Sequence, residues 1–126
     1  MTLPDGAPPL PRGTLVEIRG PVADPYGQTE LRPPLTGIKV LGTAGLPASV
    51  GLTAGQAGEG TEGRLAAIRG KITAAPAKST SGDIAFTIEG TAGASLRLYA
   101  DASAGLDASV LRKGASATFT GIVGRF

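Results

Sequence analysis

The amino-acid sequence predicts an all-β fold made of long, bent strands of the kind that form a small closed barrel. The main support is a phrase that occurs three times, in which two glycines seven residues apart enclose alternating apolar positions. The three copies are Gly13–Val22, Gly63–Ile72 and Gly114–Val123. Alternation with a period of two is typical of strands with one buried face, and a glycine inside such a strand marks a bulge or bend. Bent strands of this kind turn the corners of small barrels.

The composition agrees with many short strands joined by turns in one domain. The chain has 126 residues with 20 glycines and 10 prolines, and hydrophobic residues make up 41%. This length is sufficient for a single core, and the combination of turn formers with apolar residues favours β structure. No apolar run is long enough for a membrane-spanning helix, and the proline-rich start lacks the features of a signal peptide. We therefore expect no membrane partner, and either a cytoplasmic protein or one domain of a longer secreted chain.

The residue types exclude several kinds of chemistry. Cysteine and histidine are both absent, which excludes disulfides, zinc sites built on these residues, and Ser-His or Cys-His nucleophile pairs. The ten acidic residues are scattered and form no calcium-binding loop motif. The sequence leaves open a hard-metal site made of carboxylates, and a pair of carboxylates for glycoside hydrolysis, since such partners meet only in space. We expect a non-catalytic protein with no cofactor and no metal site.

The first part of the chain predicts a linker, a hairpin and a bridge. Residues 1–12 contain four prolines and form an extended linker. Residues 13–41 form a β-hairpin with an extension, bent at Gly20 and turned by Asp24–Gly27, where Tyr26 either anchors the turn or clamps a bound strand. The hairpin elements are expected at 14–22, 28–32 and 36–41. Residues 42–61 form a small-residue bridge with one helical turn that begins at Thr53, and a module boundary is expected near it.

The second part, residues 62–126, predicts four strands and one short helix. The first strand, 63–75, is bent at Gly70, and Lys78–Asp83 is a hairpin loop. The inward positions of the second and third strands are expected to be Ile84, Phe86, Ile88, Leu96 and Leu98. A short helix is expected near 103–112, capped by Ser103 or Asp107, with Leu106, Val110 and Leu111 on one face and Gly114 after its end. The fourth strand covers 115–123.

This order of elements resembles the OB-fold, a five-stranded Greek-key barrel with a helix between strands three and four. The sequence motifs are also similar to those of the OB modules in bacterial secreted nucleases and lamin-tail-domain proteins. The phrases that carry the resemblance are Glu62–Leu65, Gly82–Glu89, Leu96–Asp101 and Leu111–Val123. The segment Arg12–Arg32 resembles strands four and five of a preceding module. The resemblance implies a bacterial, extracellular setting if the chain is a domain of a secreted protein.

Relative to that family the strand order is shifted, because strands four and five come first and strands one to four follow. We infer that the hairpin of 13–41 closes the barrel of 62–126, as in a circular permutant, so that 13–126 forms one barrel unit. Closure occurs within one chain or by exchange between two, or else the chain boundary is arbitrary. The chain has one strand more than such a barrel uses, which favours a homo-oligomer through strand exchange or edge pairing. The alternative is a monomer whose edge strands are protected by their charges.

Charge is unevenly distributed and indicates where a polyanion would bind. Residues 1–62 carry net −2 and residues 63–126 carry net +4, within a total of +2. The candidate nucleic-acid-binding residues are Arg69, Lys71, Arg97 and Tyr99. Strand alternation turns Arg97 and Tyr99 outward with Ala85 and Thr87, and the two cations of the first strand join them if the bend at Gly70 keeps their phase. The alternative is that Tyr99 caps the barrel end and Arg97 pairs with Glu89 or Asp101.

The resemblance implies a non-catalytic OB-fold module that binds single-stranded DNA or another polyanion. With three phenylalanines, two tyrosines and no tryptophan, the chain offers few stacking platforms. Binding is therefore expected to be weak, mainly electrostatic and salt-dependent. The alternative class is a structural or protein-interaction barrel that spaces domains or self-assembles through strand edges.

Overall fold

A computed structural model describes residues 3–27 and 29–124 of the chain, and it confirms the all-β prediction. In this part of the chain the helical pieces are single 3-10 turns, and none is long and apolar enough to cross a membrane. The strands are β1 (Thr14–Ile18), β2 (Val22–Ala23), β3 (Glu30–Leu31), β4 (Ile38–Thr43), β5 (Val50–Leu52), β6 (Leu65–Ile72), β7 (Ala77–Lys78), β8 (Ile84–Glu89), β9 (Ser95–Ala100) and β10 (Ser116–Ile122). They belong to two compact units, of residues 3–48 and 49–124.

The first unit is a two-stranded ribbon. β1 pairs with β4 and β2 pairs with β3, both antiparallel. The predicted turn lies at the ribbon tip as a 3-10 turn of Pro25–Gly27, where Gly27 has φ +77°. Strands lie in each of the three predicted segments, but the first strand, β1, pairs with β4 of the expected extension, and only β2 and β3 pair across the predicted hairpin. The expected role of the Tyr26 ring lies outside the described residues, as does Gln28.

The second unit is built around one antiparallel sheet with the strand order β10-β6-β8-β9. Counted along the chain, these strands lie in the order four, one, two, three, which is the order of a Greek key. Two short strands join this sheet. β5 pairs in parallel with the first half of β6, and β7 pairs with the start of β8.

The close packing of β8 against β6 depends on Gly70. A Cβ atom at this glycine would lie 2.8 Å from Ile88 Cδ1 and 3.1 Å from the backbone oxygen of Glu89. β8 therefore approaches β6 at the only point of that strand where no side chain intervenes on this face. The outward positions on either side of the glycine, Arg69 and Lys71, remain in phase and exposed.

The core of the second unit lies on one face of the sheet. Its buried hydrophobic residues are Ala54, Ala66, Ile68, Ile72, Ile84, Phe86, Ile88, Leu111 and Val123. Phe86 and Phe119 pack with ring centroids 5.3 Å apart and tilted planes, a favourable aromatic geometry. The predicted inward positions are confirmed, with Leu96 and Leu98 partly buried against this core.

The structure does not contain the closed barrel that the bent strands suggested. In the described residues, β9 and β10 stand at opposite edges of the sheet, and no strand joins them. The ladders of β1 to β4 also run only among these four strands. Completion of a barrel by exchange of 13–41 between chains stays a prediction.

The prediction of a short helix near 103–112 is wrong. Two 3-10 turns, Ala102–Ala104 and Ala108–Val110, occupy this region, and Gly105 between them has φ +64°. Asp101 and Asp107 each accept the N–H two residues ahead at 2.8 Å. Side-chain bonds of this kind compete with a continuous helix. The predicted cap at Asp107 is present on a turn, Ser103 donates rather than caps, and the three apolar residues do not share a buried face, because Leu111 is buried while Leu106 and Val110 are exposed.

The bridge of 42–61 is more ordered than its small residues indicate. It contains β5 and the 3-10 turns Ala54–Gln56 and Glu59–Thr61. The predicted helical turn after Thr53 is present, and the Gln56 side chain accepts the Thr53 N–H at 2.9 Å. A unit boundary falls within this bridge, between Ala48 and Ser49.

Candidate functional site

The outward side of the second unit's sheet carries the predicted binding residues. We call this surface the outer face and define it by the outward side chains of β6, β8, β9 and β10. Its register pairs are Arg69↔Thr118, Lys71↔Ser116, Lys71↔Glu89, Glu89↔Ser95, Thr87↔Arg97 and Ala85↔Tyr99. Directly paired residues point to the same side of an antiparallel sheet. All four candidates therefore share one face, and all four are exposed.

The register arranges the four candidates as a diagonal band. Lys71 on β6 and Ser95 on β9 lie at the same level of the sheet, because both are paired with Glu89 of β8 between them. Arg97 is two residues further along β9, which is one row of outward side chains. With strands spaced about 4.8 Å apart and rows about 6.8 Å apart, the Cα atoms of Lys71 and Arg97 are about 12 Å apart. Arg69 and Tyr99 extend the band at its two ends to a length of about 22 Å. The structure thus brings the candidates together on one surface without direct contact between the two strands that carry them.

The cations of this band are not neutralised by ion pairs. The two ion pairs found between described residues are Glu17 with Arg19 and Glu30 with Arg32, both in the first unit. The expected alternative pairing of Arg97 with Glu89 or Asp101 is therefore not present. Glu89 nevertheless lies directly opposite Lys71 and lowers the positive potential at the middle of the band.

The Tyr99 end of the band is held by Asp83 from the predicted hairpin loop, which the structure confirms between β7 and β8. The Asp83 carboxylate accepts the Ser81 hydroxyl at 2.6 Å and the Ala102 N–H at 3.0 Å. It also accepts the Tyr99 hydroxyl, and this bond raises the pKa of Tyr99. Together these donors, led by Ser81, lower the pKa of Asp83. Tyr99 stays 53% exposed, so its ring is tethered at the hydroxyl and still open to a ligand rather than buried as a cap.

Sequence reasoning missed two features of the site. The tether between Tyr99 and Asp83 joins side chains from a strand and a distant loop, for which the sequence carries no signal. The hydroxyl row of β10 on the outer face was also missed, although alternation around the inward Phe119 could have found it. This row consists of Ser116, Thr118 and Thr120. Hydroxyls and cations on one surface are the usual donors to phosphate oxygens.

The first unit carries a concave region of its surface. It is an open depression of about 600 Å³ whose charged lining residues are Glu17, Arg19 and Lys39. Arg19 Nη2 lies 2.6 Å from Glu17 Oε1, and Lys39 is directly opposite Glu17 in the ladder. Its charges are thus largely matched with each other, in contrast to those of the outer face. Within the described residues, no three acidic groups come together as a metal-binding cluster in either unit.

Comparison with protein-family models, with curated proteins and with solved structures finds no match for this chain. A function is therefore inferred from the geometry of the outer face.

Proposed function

We propose that the second unit is a non-catalytic module that binds single-stranded DNA, or another polyanion, weakly on its outer face. One observation carries the proposal: three cations without ion-pair partners and an exposed tyrosine lie in one band on one face of a sheet. A positive groove or strip with an aromatic platform is the usual design of sequence-tolerant single-strand binders.

We further propose that this unit follows the OB plan without closure of the barrel. The support is the strand order four-one-two-three, which is shared with that fold. In OB-folds the ligand face is formed by strands two and three, flanked by the loop between strands one and two. The corresponding elements here are β8, β9 and the loop of Lys78–Asp83, which is the loop that tethers Tyr99.

The magnitude of binding follows from the small number of contacts. Three phosphate contacts to a single strand give a salt dependence with a slope of about −2 in log K against log salt. One tyrosine adds about 1–3 kcal/mol of stacking with a base. We therefore expect dissociation constants on the order of 10⁻⁴ to 10⁻⁶ M, as for non-specific binding.

Fluorescence anisotropy with a labelled single-stranded oligonucleotide tests this proposal. Arg97→Ala should weaken binding and make the salt slope shallower by about 0.7. Arg12→Ala removes the same charge from an exposed position in the first unit and serves as the matched control, with an unchanged slope expected. Tyr99→Phe should retain most of the affinity, whereas Tyr99→Ala should lose about 5-fold or more, because stacking needs the ring.

Two results would overturn the proposal. One is the absence of binding at about 50 mM salt with tens of micromolar protein, since even non-specific contacts are measurable there. The other is an equal loss of affinity for Arg97→Ala and Arg12→Ala, which would mean that net charge rather than the outer face governs the interaction.

A further inference from the structure

Two copies of the repeated glycine phrase pair with each other, and their register is symmetric. We number the residues of each copy from its first glycine, which is position zero. Position five of the copy in β6 then pairs with position five of the copy in β10, as Ile68↔Phe119. Position three pairs with position seven in both directions, as Ala66↔Gly121 and Gly70↔Ala117. Position eight pairs with position two at both ends of the ladder. The phrase is thus able to pair with itself about a local twofold axis at position five.

The backbone groups of the odd positions make this ladder. At its ends, the Ile72 N–H donates to the Ala115 oxygen at 2.8 Å, and the Val123 N–H donates to the Arg64 oxygen at 3.0 Å. These residues are positions nine and one of their copies. Because hydrogen-bonding direction alternates along a strand, positions three, five and seven also face the partner strand.

The remaining copy of the phrase, Gly13–Val22, contains β1 and presents the same odd positions on a strand edge that has no partner within the described residues. The Arg19 N–H, at position six, donates to the Gly37 oxygen at 2.8 Å, so the even positions face the segment that forms β4. The odd positions Val16, Ile18 and Gly20 therefore direct their backbone groups to the opposite edge. In the described residues β1 has no ladder partner on that edge. Pro21, which lacks an N–H, is at the even position eight, and its oxygen accepts the N–H of Arg32, the residue after β3, at 2.9 Å.

The side chains of β1 are complementary to a second β1 in this register. Ile18 would face Ile18 of the second copy, and Glu17, at position four, would face Arg19, at position six. Arg19 and Glu17 have side chains that are 81% and 40% exposed. Lys39 lies on the other side of Glu17. Each row across the paired ribbons would then place Glu17 between Lys39 of the same copy and Arg19 of the second copy. Opposite charges on adjacent strands stabilise the pairing.

We propose that two copies of this chain associate through antiparallel pairing of their β1 strands about a twofold axis at Ile18. The result is a four-stranded sheet in the order β4-β1-β1-β4, with an isologous interface. An isolated two-stranded ribbon is marginally stable, and an open edge favours strand addition. Pairing of the two β1 strands widens each ribbon into a larger sheet and gives the backbone groups of the open edge hydrogen-bond partners. One strand pair is a small interface, so the association is weak and depends on concentration, with a dissociation constant on the order of 100 µM.

A charge-swap experiment tests the proposal. Light scattering over a dilution series should give a mass that rises from 12.5 kDa toward twice that value as concentration increases. Glu17→Arg places like charges opposite each other in both rows, and Arg19→Glu does the same with the opposite sign. Each variant alone should stay monomeric at all concentrations. An equimolar mixture of the two should restore the dimer, because every facing pair is then opposite in sign.

Both variants lose the ion pair within their own β1, and mixing them does not restore it. Recovery of the dimer in the mixture would therefore be due to charge pairing between chains and not to a more stable ribbon. Circular dichroism of each variant verifies that it is folded. The proposal is overturned if the wild-type chain is monomeric throughout, if either variant dimerises alone as the wild type does, or if the mixture stays monomeric.

A single cysteine tests the register, since the chain has none of its own. Ile18→Cys places two thiols at the twofold axis, where paired Cα atoms about 5.5 Å apart permit a disulfide. Leu15→Cys is the control, because its two copies would lie about 20 Å apart. Mild oxidation should cross-link the first variant and not the second, and equal cross-linking of both would contradict the register.

Discussion

Replacing Gly70 with alanine should destabilise the second unit, because β8 packs closely against β6 at this glycine. The new Cβ would lie 2.8 Å from Ile88 Cδ1, 3.0 Å from Ile88 Cβ and 3.1 Å from the Glu89 oxygen. The Ile88 methyl could rotate, but its Cβ and the Glu89 backbone cannot move without separating β8 from β6. Overpacking of this kind costs about 1–3 kcal/mol. A smaller loss of entropy in the unfolded chain, about 0.4–1 kcal/mol, offsets part of it.

The net effect is a destabilisation of about 1–2 kcal/mol, or a fall in Tm of about 5–15 °C for a unit of this size. Urea unfolding followed by circular dichroism measures it, with the m-value expected to stay constant. Gly121 provides the matched control because it is the same glycine of the phrase in β10, and a Cβ there would meet nothing within 4 Å. Gly121→Ala should be neutral or slightly stabilising. If both variants lose equal stability, the steric explanation for Gly70 is incorrect.

Two further predictions concern charge. Asp83→Asn should make the second unit less sensitive to acid: the lowered pKa of Asp83 means that its stabilising effect is present above the unfolded value near 3.8 and is lost as pH falls through the folded value. Urea midpoints at about pH 6 and about pH 3 measure this, and an identical acid response in wild type and variant would contradict it. Glu89→Gln should strengthen oligonucleotide binding about 2- to 5-fold at low salt, because it removes the carboxylate opposite Lys71. Anisotropy measures the affinity, and an unchanged value would indicate that the oligonucleotide lies away from this part of the sheet.

The candidate site was predictable where it depended on alternation along single strands. Ile84, Phe86 and Ile88 are buried, and the positions between them face outward, because a strand places successive side chains on opposite faces. The same rule places Arg97 and Tyr99 on the outer face. What alternation could not supply is the register between strands, which decides that Glu89 rather than another residue lies opposite Lys71.

The amino-acid sequence by itself determined the all-β class and the turns at Gly27 and after Lys78, because each depends on residues adjacent in the chain. The tertiary structure alone decided the rest. The region of 103–112 is two turns because Gly105 is left-handed and because Asp107 accepts the Ser109 N–H that a continuous helix would use. Tyr99 is tethered because the fold brings a loop carboxylate to its hydroxyl. The sheet stays open because no strand in the described chain lies between β9 and β10. Such outcomes depend on which distant segments meet, and local propensity carries no information about that pairing.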